Sequence, residues 1–322
     1  MVAPQNCMPI PAIRGDANWH SYNKVDVEKL ESTKTYLTDH MTEVAIEMLH
    51  SVEEPFLMYK AFHAPHFPFH APSKVRTQFL NDLAPKSALP AELLALGETR
   101  DTIEQKLDTV FHLAPFMASR EHILGDAFNG HDKVATWNMD NENIRSYIIR
   151  VARAMYLSNV KAMDNSLGDI LQFLTDAGKL ENTYIVYASD NGAAVENFQS
   201  ANKNRGYKGN PFEGGVKTFA MISGPEIPAD TEYTGIFHLT DWLPTLATAA
   251  KINNGQFRTI DGIDQFNAIT KSASKGPRQD VHLHYQLGPD RKAPGRTKNS
   301  PMMAMRSGPY KLLGGLPKTS FF

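Results

Sequence analysis

The sequence predicts an α/β protein with a mixed, mainly parallel sheet flanked by helices. Apolar residues recur at helical spacing over about residues 37–50 and 144–177. The runs at 183–188 and 218–222 are apolar without alternation, which is typical of strands buried on both faces. A shorter run at 56–61 also reads as a largely buried strand. Helices that alternate with such strands along a chain are the pattern of a parallel α/β sheet.

Each element follows from its own pattern. The long second helix should end near Gly178, because glycine readily adopts the left-handed conformation that closes helices. A further helix starts at about Thr240, with Pro244 in its first turn, where no backbone N–H is needed. Two short runs separated by Ser307-Gly308-Pro309 predict a β-hairpin. The first helix places these residues on one face: Leu37, Met41, Val44, Ala45, Met48 and Leu49.

The chain divides into three segments by composition. Residues 1–35 are polar and show no period, residues 36–270 carry the α/β pattern, and residues 271–322 are turn-rich. We therefore expect an irregular N-terminal segment, one α/β domain and a turn-rich C-terminal segment.

Composition excludes several classes of partner. The 322 residues carry 33 basic and 35 acidic side chains, a net charge of −2, which gives no electrostatic reason to expect nucleic acid or an anionic membrane. No apolar run approaches the length of a membrane span, and no signal peptide is visible at the start. Cys7 is the single cysteine, so neither an internal disulfide nor a multi-cysteine metal site can form.

Polar residues follow the predicted strands, at the sheet edge where α/β proteins bind ligands. Asp190 and Asn191 offer two adjacent oxygen ligands suited to calcium or magnesium, although Asp-Asn-Gly is also a common turn. Lys208, between two glycines, can meet an anionic oxygen, or it can lie in an ordinary surface loop.

Three histidines lie in one proline-rich loop after the run at 56–61. His63, His66 and His70 could bind zinc, or one of them could act as a general acid on a rigidly held loop. Alternatively, they hydrogen-bond the backbone while neighbouring phenylalanines pack the loop. Cys7 has neither a nearby base nor a helix N-terminus to activate it and reads as an inert thiol.

Together and in this order, five segments resemble the sulfatase family. The closing residues 261–264 and 305–313 look most like the branch that contains arylsulfatase B, the N-acetylgalactosamine-4-sulfatase. The five segments are Tyr36–Asp39, Pro55–Tyr59 leading into Ala64–Pro68, Ser189–Gly192, Arg205–Gly209 with Phe212–Gly215, and Asp241–Leu246.

The resemblance implies an alkaline-phosphatase-like fold in which residues 271–322 form a partial, small, antiparallel C-terminal subdomain. It also implies hydrolysis of sulfate esters, such as those of sulfated sugars, at one calcium ion. Asp190 and Asn191 match two of the family's metal ligands. Lys208 matches the lysine that contacts the sulfate, and His66 matches the histidine beside the leaving-group oxygen. A secreted or lysosomal location is also what the resemblance suggests.

The sequence departs from the family pattern at the nucleophile. Sulfatases carry an Asp-Asp pair on the first strand, a Gly-Lys-Trp-His segment and a Cys-x-Pro-Ser-Arg motif whose cysteine becomes formylglycine. None of these is in this sequence, where Cys7-Met8-Pro9 is followed by Ile10-Pro11. We expect an incomplete copy of a calcium-dependent sulfatase that is inactive alone. The alternatives are a non-catalytic sulfatase-like binding protein and a related metal-dependent phosphoesterase.

Overall fold

The chain divides into two compact units in the computed structural model. One comprises Met1–Gly178 with Asn197–Ala201, and the other comprises Lys179–Glu196 with Asn202–Phe322. The structure describes residues 36–66, 69–113, 137–138, 140–193, 204–206, 208, 211–252, 259–273, 275–285 and 302–314. The predicted irregular segment 1–35, with Cys7, lies outside these residues, and the division predicted at residue 270 stays a prediction.

The described part of the first unit is helical. Helices α1, α2 and α4 all pack against the long helix α5. None of the helices in the described parts of the chain is long and apolar enough to cross a membrane. The helices of this unit are α1 (Leu37–Ser51), α2 (Ser73–Leu83), α3 (Ala91–Ala95), α4 (Arg100–Leu113) and α5 (Glu142–Asp176).

Helix α5 confirms the prediction of a long helix ending near Gly178. It starts at an N-cap, where Asn141 Oδ1 accepts the backbone N–H of Asn143 at 2.9 Å. Gly178 follows its last turn with φ of +67°. Most of the predicted face is buried, while Leu167 and Leu171 are only half-buried. The residues of that face that are buried are Ile148, Ala152, Met155, Asn159, Met163, Ile170 and Leu174.

Helix α1 forms where predicted but buries a different stripe. Its buried residues are Thr38, Thr42, Ala45 and Leu49, whereas Met48 is 42% exposed. Thr42 Oγ1 donates to the carbonyl oxygen of Thr38 at 2.7 Å and contacts the Ser166 hydroxyl of α5. Threonine can line a helix interface when its hydroxyl has a hydrogen-bond partner. A prediction that assigned only apolar residues to the buried face therefore missed this stripe.

The prediction that residues 56–61 form a largely buried strand is wrong. Burial alternates along this extended segment, and Leu57 and Tyr59 are 68% and 91% exposed. In the described residues the segment belongs to neither sheet, and the side chains on one of its faces are exposed. Period-2 burial is what an extended chain gives when a single face is covered.

The second unit contains two antiparallel sheets in its described residues. One pairs β1 with β2, and the other has the order β3-β4-β5. One short helix lies between the first two strands along the chain, and two further helices lie between the second and third strands. The elements are β1 (Ile185–Ala188), α6 (Glu213–Val216), β2 (Ala220–Ser223), α7 (Trp242–Ala249), α8 (Phe266–Thr270), β3 (Asp280–Tyr285), β4 (Met302–Ser307) and β5 (Tyr310–Gly314).

Strands β1 and β2 form at the predicted positions, but they pair with each other antiparallel. Tyr187 stands opposite Met221, which is 57% exposed, and the ring centroids of Tyr187 and Phe219 are 5.5 Å apart. The prediction that the run at 183–188 is buried on both faces is therefore wrong for the described residues. An unbroken apolar run also results where aromatic residues pack across a strand pair, and sequence pattern does not separate the two cases.

The predicted C-terminal hairpin is confirmed. Strands β4 and β5 pair with Arg306 opposite Lys311. Strand β3 pairs with β4 over its full length and was missed, although its residues Asp280–Tyr285 alternate between polar and apolar. That alternation is the usual signal of a half-buried strand.

A buried ion pair organises the centre of the second unit. The Asp241 side chain, just before α7, is fully buried and accepts two hydrogen bonds from Arg278, at 2.6 and 2.8 Å. It also accepts the backbone N–H groups of His238 and Ile263 and the side-chain amide of Gln265. Burial alone would raise the pKa of Asp241, but these hydrogen bonds together hold it below its ordinary value.

Candidate functional site

The first component of the site is the loop that follows β1. Side chains of this loop bond its own backbone: Ser189 Oγ donates to Asn191 O at 2.9 Å, and Asp190 Oδ1 accepts Asn191 N–H at 2.8 Å. The Asn191 side-chain amide donates to Gly192 O at 2.9 Å. The turn interpretation of Asp-Asn-Gly is therefore correct as local structure. The same hydrogen bonds also orient the Asp190 and Asn191 side chains, and the interpretation of these residues as metal ligands stays a prediction.

Two further loops meet this one through their backbones. Lys208 N–H donates to Ala193 O at 2.7 Å, and Gly192 N–H donates to Gly215 O at 2.9 Å. Gly214 N–H donates to Arg205 O at 2.7 Å. We call these segments, 189–193, 204–206 with 208, and 212–215, the three interlocked loops. Their hydrogen bonds place the Lys208 backbone directly against the loop that carries Asp190 and Asn191.

Glycine is required where these loops touch. A Cβ on Gly192 would overlap the carbonyl oxygen of Gly214, and a Cβ on Gly214 would overlap that of Gly206. Gly206 itself has φ of +91°, which side chains disfavour. The close contact of the backbones therefore requires glycine at these positions. Glycine brings three backbones closer together than any residue with a side chain would permit.

The oxygen atoms of Asp190 and Asn191 suit a hard cation. The Asn191 amide nitrogen is used as a donor, so its Oδ1 is the atom left for a ligand, and the exposed Asp190 carboxylate has a second oxygen. Calcium takes six to eight oxygen ligands, of which this pair can supply only part. Within the described ranges, no group of three or more His, Cys, Asp or Glu side chains could hold a metal ion.

Lys208 lies at the surface of the interlocked loops. Its side chain is exposed, as expected for a cation that meets an anionic ligand from solvent. Nearby in sequence, the Arg205 guanidinium lies 4.2 Å from the centroid of the Phe212 ring. The structure thus brings the Lys208 backbone against the loop that carries Asp190 and Asn191.

His66 lies in the first unit, and Asp190, Asn191 and Lys208 lie in the second. The histidine is exposed, and its backbone N–H donates to His63 O at 2.8 Å, which closes a tight turn. Partial desolvation and the neighbouring charge of His66 lower the pKa of His63. Each unit therefore holds part of the predicted residue set, and the contacts described for each part lie within its own unit.

The remaining histidine shows how the loop is anchored. His70 is exposed, while the adjacent Phe69 is fully buried, 5.9 Å from the Tyr156 ring, and its carbonyl accepts Arg76 Nη1 at 3.2 Å. The packing interpretation of the loop is correct at this end. His63, His66 and His70 are all among the described residues and do not form the zinc site that the sequence left open.

Sequence reasoning missed a charged cluster beside the interlocked loops. Glu213 accepts from Lys311 Nζ at 2.7 Å and from Arg306 Nη1 at 3.1 Å. Burial would raise the pKa of Glu213, but the hydrogen bond and charge of Lys311, with Arg306 and Lys217, lower it. Two cations opposite each other on a predicted hairpin were the available signal.

A buried amine in the first unit was also missed. Lys60 Nζ lies 3.7 Å from the centroid of the Phe62 ring and is buried without a hydrogen-bond partner among the described residues. Desolvation lowers the pKa of Lys60 to about 8.

Comparison with solved structures defines the fold class. A protein in complex with its substrate D-glucosamine-2-N,6-O-disulfate superposes with a TM-score of 0.59 at 20% identity, covering 89% of this chain and 62% of that one. The phosphonate monoester hydrolase of Agrobacterium radiobacter superposes with a TM-score of 0.54 at 20% identity, covering 87% of this chain and 53% of that one. The chain has the alkaline-phosphatase-like α/β fold.

Comparison of sequences identifies the family. A sequence model of the sulfatase family matches residues 13–252. Arylsulfatase J of Mus musculus is 31% identical over 144 residues, which are 44% of this chain and 24% of that protein. N-acetylgalactosamine-6-sulfatase of Canis lupus familiaris is 32% identical over 130 residues, 39% of this chain and 25% of that protein. The chain belongs to the sulfatase family, and its matched region spans about a quarter of these curated relatives.

Proposed function

We propose that this chain carries the sulfate-binding and metal-binding loops of a sulfuric ester hydrolase. The observation that carries the proposal is the contact of the three interlocked loops, in which Lys208 N–H bonds Ala193 O at 2.7 Å. The Lys208 backbone thereby lies against the loop that carries Asp190 and Asn191, in a chain of the sulfatase family.

Asp190 and Asn191 are the proposed ligands of a divalent cation, for which we propose Ca²⁺. Members of the family generally use a metal and a formylglycine. Carboxylate and amide oxygens without nitrogen or sulfur ligands favour a hard cation over zinc. When bound, such an ion would neutralise charge on the sulfuryl oxygens.

Lys208 and His66 are the proposed residues that act on the ester. Lys208 would donate hydrogen bonds to sulfuryl oxygens, where negative charge must be balanced as the S–O bond to the alcohol breaks. His66 would hold a proton for the departing alcohol oxygen, a role that suits its exposed position on a closed turn.

The nucleophile is not proposed for any residue of this sequence. The 322 residues hold no Cys-x-Pro-Ser-Arg motif, and Cys7 is followed by Met8-Pro9-Ile10. We therefore expect this chain alone to bind sulfate esters without hydrolysing them. The alternative is a binding protein without catalytic activity. It predicts that a longer form of this protein would also show no turnover.

A sulfated sugar is the proposed substrate class. The final hairpin motif, residues 305–313, supports placement in the branch that contains arylsulfatase B. An N-acetylgalactosamine-6-sulfatase among the relatives, and a disulfated glucosamine as the substrate of one similar structure, point to the same chemistry.

Calorimetric titration of the purified 322-residue chain with Ca²⁺, and then with inorganic sulfate, tests the proposal. We expect Asp190→Ala to weaken Ca²⁺ binding at least about tenfold. Lys208→Ala should weaken sulfate binding about tenfold to a hundredfold, the cost of one charge-assisted hydrogen bond. Asp230→Asn and Lys271→Ala alter exposed residues of the same unit and serve as matched controls. Unchanged binding in both site variants would refute the assignment.

Turnover and anion-binding assays test the account of the nucleophile and the phosphoesterase alternative. The chain alone should hydrolyse neither an aryl sulfate nor an aryl phosphate. Hydrolysis of the aryl sulfate by the 322-residue chain would contradict our account of the nucleophile. Preferential binding of inorganic phosphate over sulfate would favour the phosphoesterase alternative.

A further inference from the structure

The hairpin of β4 and β5 places two positive charges side by side. Arg306 and Lys311 are direct cross-strand partners in the antiparallel register. Like charges directly opposite each other destabilise a strand pair unless an anion lies between them. The hairpin therefore needs a counter-charge from outside its own strands.

Glu213 supplies that counter-charge from helix α6. One carboxylate oxygen is 2.7 Å from Lys311 Nζ, and the other is 3.1 Å from Arg306 Nη1. The Lys311 side chain is only 17% exposed, so solvent screens this pair less than it would a surface pair. Because each oxygen meets one cation, the carboxylate is fixed in orientation as well as position.

Glu213 is covalently continuous with the contacts that assemble the candidate site. The next residue, Gly214, donates its N–H to Arg205 O, in the loop that carries Lys208. The one after it, Gly215, accepts the N–H of Gly192, in the loop that carries Asp190 and Asn191. A displacement of Glu213 would therefore reach both halves of the site within two residues.

We propose that the β4–β5 hairpin positions the sulfate-binding and metal-binding loops through Glu213, with Arg306 and Lys311 as the clamp. These three are positioning residues, since they act through the backbones of Gly214 and Gly215. The inference rests on the proposed function for its ligand, but the coupling of the hairpin to the loops can be measured without any ligand.

The ligand-free measurement is hydrogen–deuterium exchange of the 322-residue chain. In Lys311→Met and Glu213→Gln, amides in 189–193 and 204–216 should exchange about tenfold faster than in the wild type, while those of α5 are unchanged. Lys161→Met is the matched control, because Lys161 pairs with Asp164 at the same 2.7 Å but on the exposed face of α5. Faster exchange confined to the hairpin, with the loops unaffected, would overturn the proposal.

The second measurement is the affinity for inorganic sulfate at constant ionic strength, set with chloride. Each single variant should bind sulfate about tenfold more weakly, as residues that support a binding group typically do. The double variant should lose no more than either single one, because both remove the same clamp. Additive losses would contradict the clamp and indicate that Lys311 contacts sulfate directly.

The two failures are distinguishable. If the wild-type chain binds no sulfate but the loops still exchange faster in the variants, the clamp stands and the proposed function fails. If sulfate binds but both exchange and affinity are indifferent to Glu213, the function stands and the clamp fails.

Discussion

The two units differ in the side chains that they bury completely. In the described residues, the largest fully buried side chains, among them Tyr147, Ile103 and Leu107, all belong to the helical unit. The fully buried side chains of the second unit include Asp241 and Gln265. Apolar packing tolerates changes of shape, but a buried polar group must keep its partners. The two units should therefore fail in different ways when mutated.

Breaking the buried ion pair should give the largest effect. Asp241→Asn leaves the Arg278 guanidinium, 11% exposed, without its counter-charge, and such losses cost about 3–5 kcal/mol. Urea unfolding followed by tryptophan fluorescence measures the free energy of unfolding. The matched control, Asp164→Asn, breaks the exposed pair with Lys161 and should cost no more than about 0.5 kcal/mol. Equal losses for the two variants would mean that the polar centre does not hold the second unit.

Glycine substitutions should have opposite signs in the two units. Gly214→Ala would drive a Cβ into the Gly206 carbonyl, and we expect a loss of about 3 kcal/mol or more. Gly168→Ala, in the middle of α5 with open space around it, should stabilise by about 0.5–1 kcal/mol. Thermal unfolding of both variants measures the contrast. A tolerated Gly214→Ala would show that the interlocked loops are not in close backbone contact.

Acid should weaken the second unit through Asp241. Its pKa is lowered in the folded state, so its contribution to stability is complete above the unfolded value, about 4, and is lost as pH falls through the folded pKa. The difference in unfolding free energy between wild type and Asp241→Asn should therefore be constant at neutral pH and shrink below about pH 4. A difference that stayed constant down to pH 2 would exclude this carboxylate as the source.

The same contrast explains what the sequence could and could not predict. Helices α1 and α5 follow from periodicity, because burial of one face leaves a repeat in the sequence. The β4–β5 hairpin follows from two short runs on either side of Ser307-Gly308-Pro309. The antiparallel pairing of β1 with β2 does not, since an apolar run says nothing about strand direction. The apolar run at residues 56–61 also predicted a buried strand, but the chain there is extended with only one face covered.

The candidate site was predicted only as separate pieces. Asp190, Asn191 and Lys208 were singled out by residue type and by resemblance, and the contact between their loops depends on backbone hydrogen bonds that leave no periodic signal. Glycines mark those contacts, but glycine is equally common in ordinary turns. The Glu213 clamp was missed because its partners are almost a hundred residues further along the chain.

The smallest expected effect is a gain in stability, and it lies in the first unit. Lys60 Nζ is buried beside Phe62 without a hydrogen-bond partner among the described residues, and its pKa falls to about 8. A lysine whose folded pKa is lowered costs stability while it is charged, and the cost is relieved as pH rises through 8 toward the unfolded value, about 10.4. Lys60→Met keeps the length of the side chain and removes the charge, so it should stabilise by about 1 kcal/mol at pH 7.

The gain from Lys60→Met should shrink as pH rises above 8 and be largely lost by about pH 10, because the folded-state amine is then neutral and costs nothing to bury. Urea unfolding at pH 7, 8.5 and 10 tests this, with Lys161→Met as an exposed lysine that should show no such dependence. A loss of stability in Lys60→Met at pH 7 would mean that the ammonium has a favourable partner. In that case Lys60, like Asp241, would be a buried charge that its surroundings stabilise.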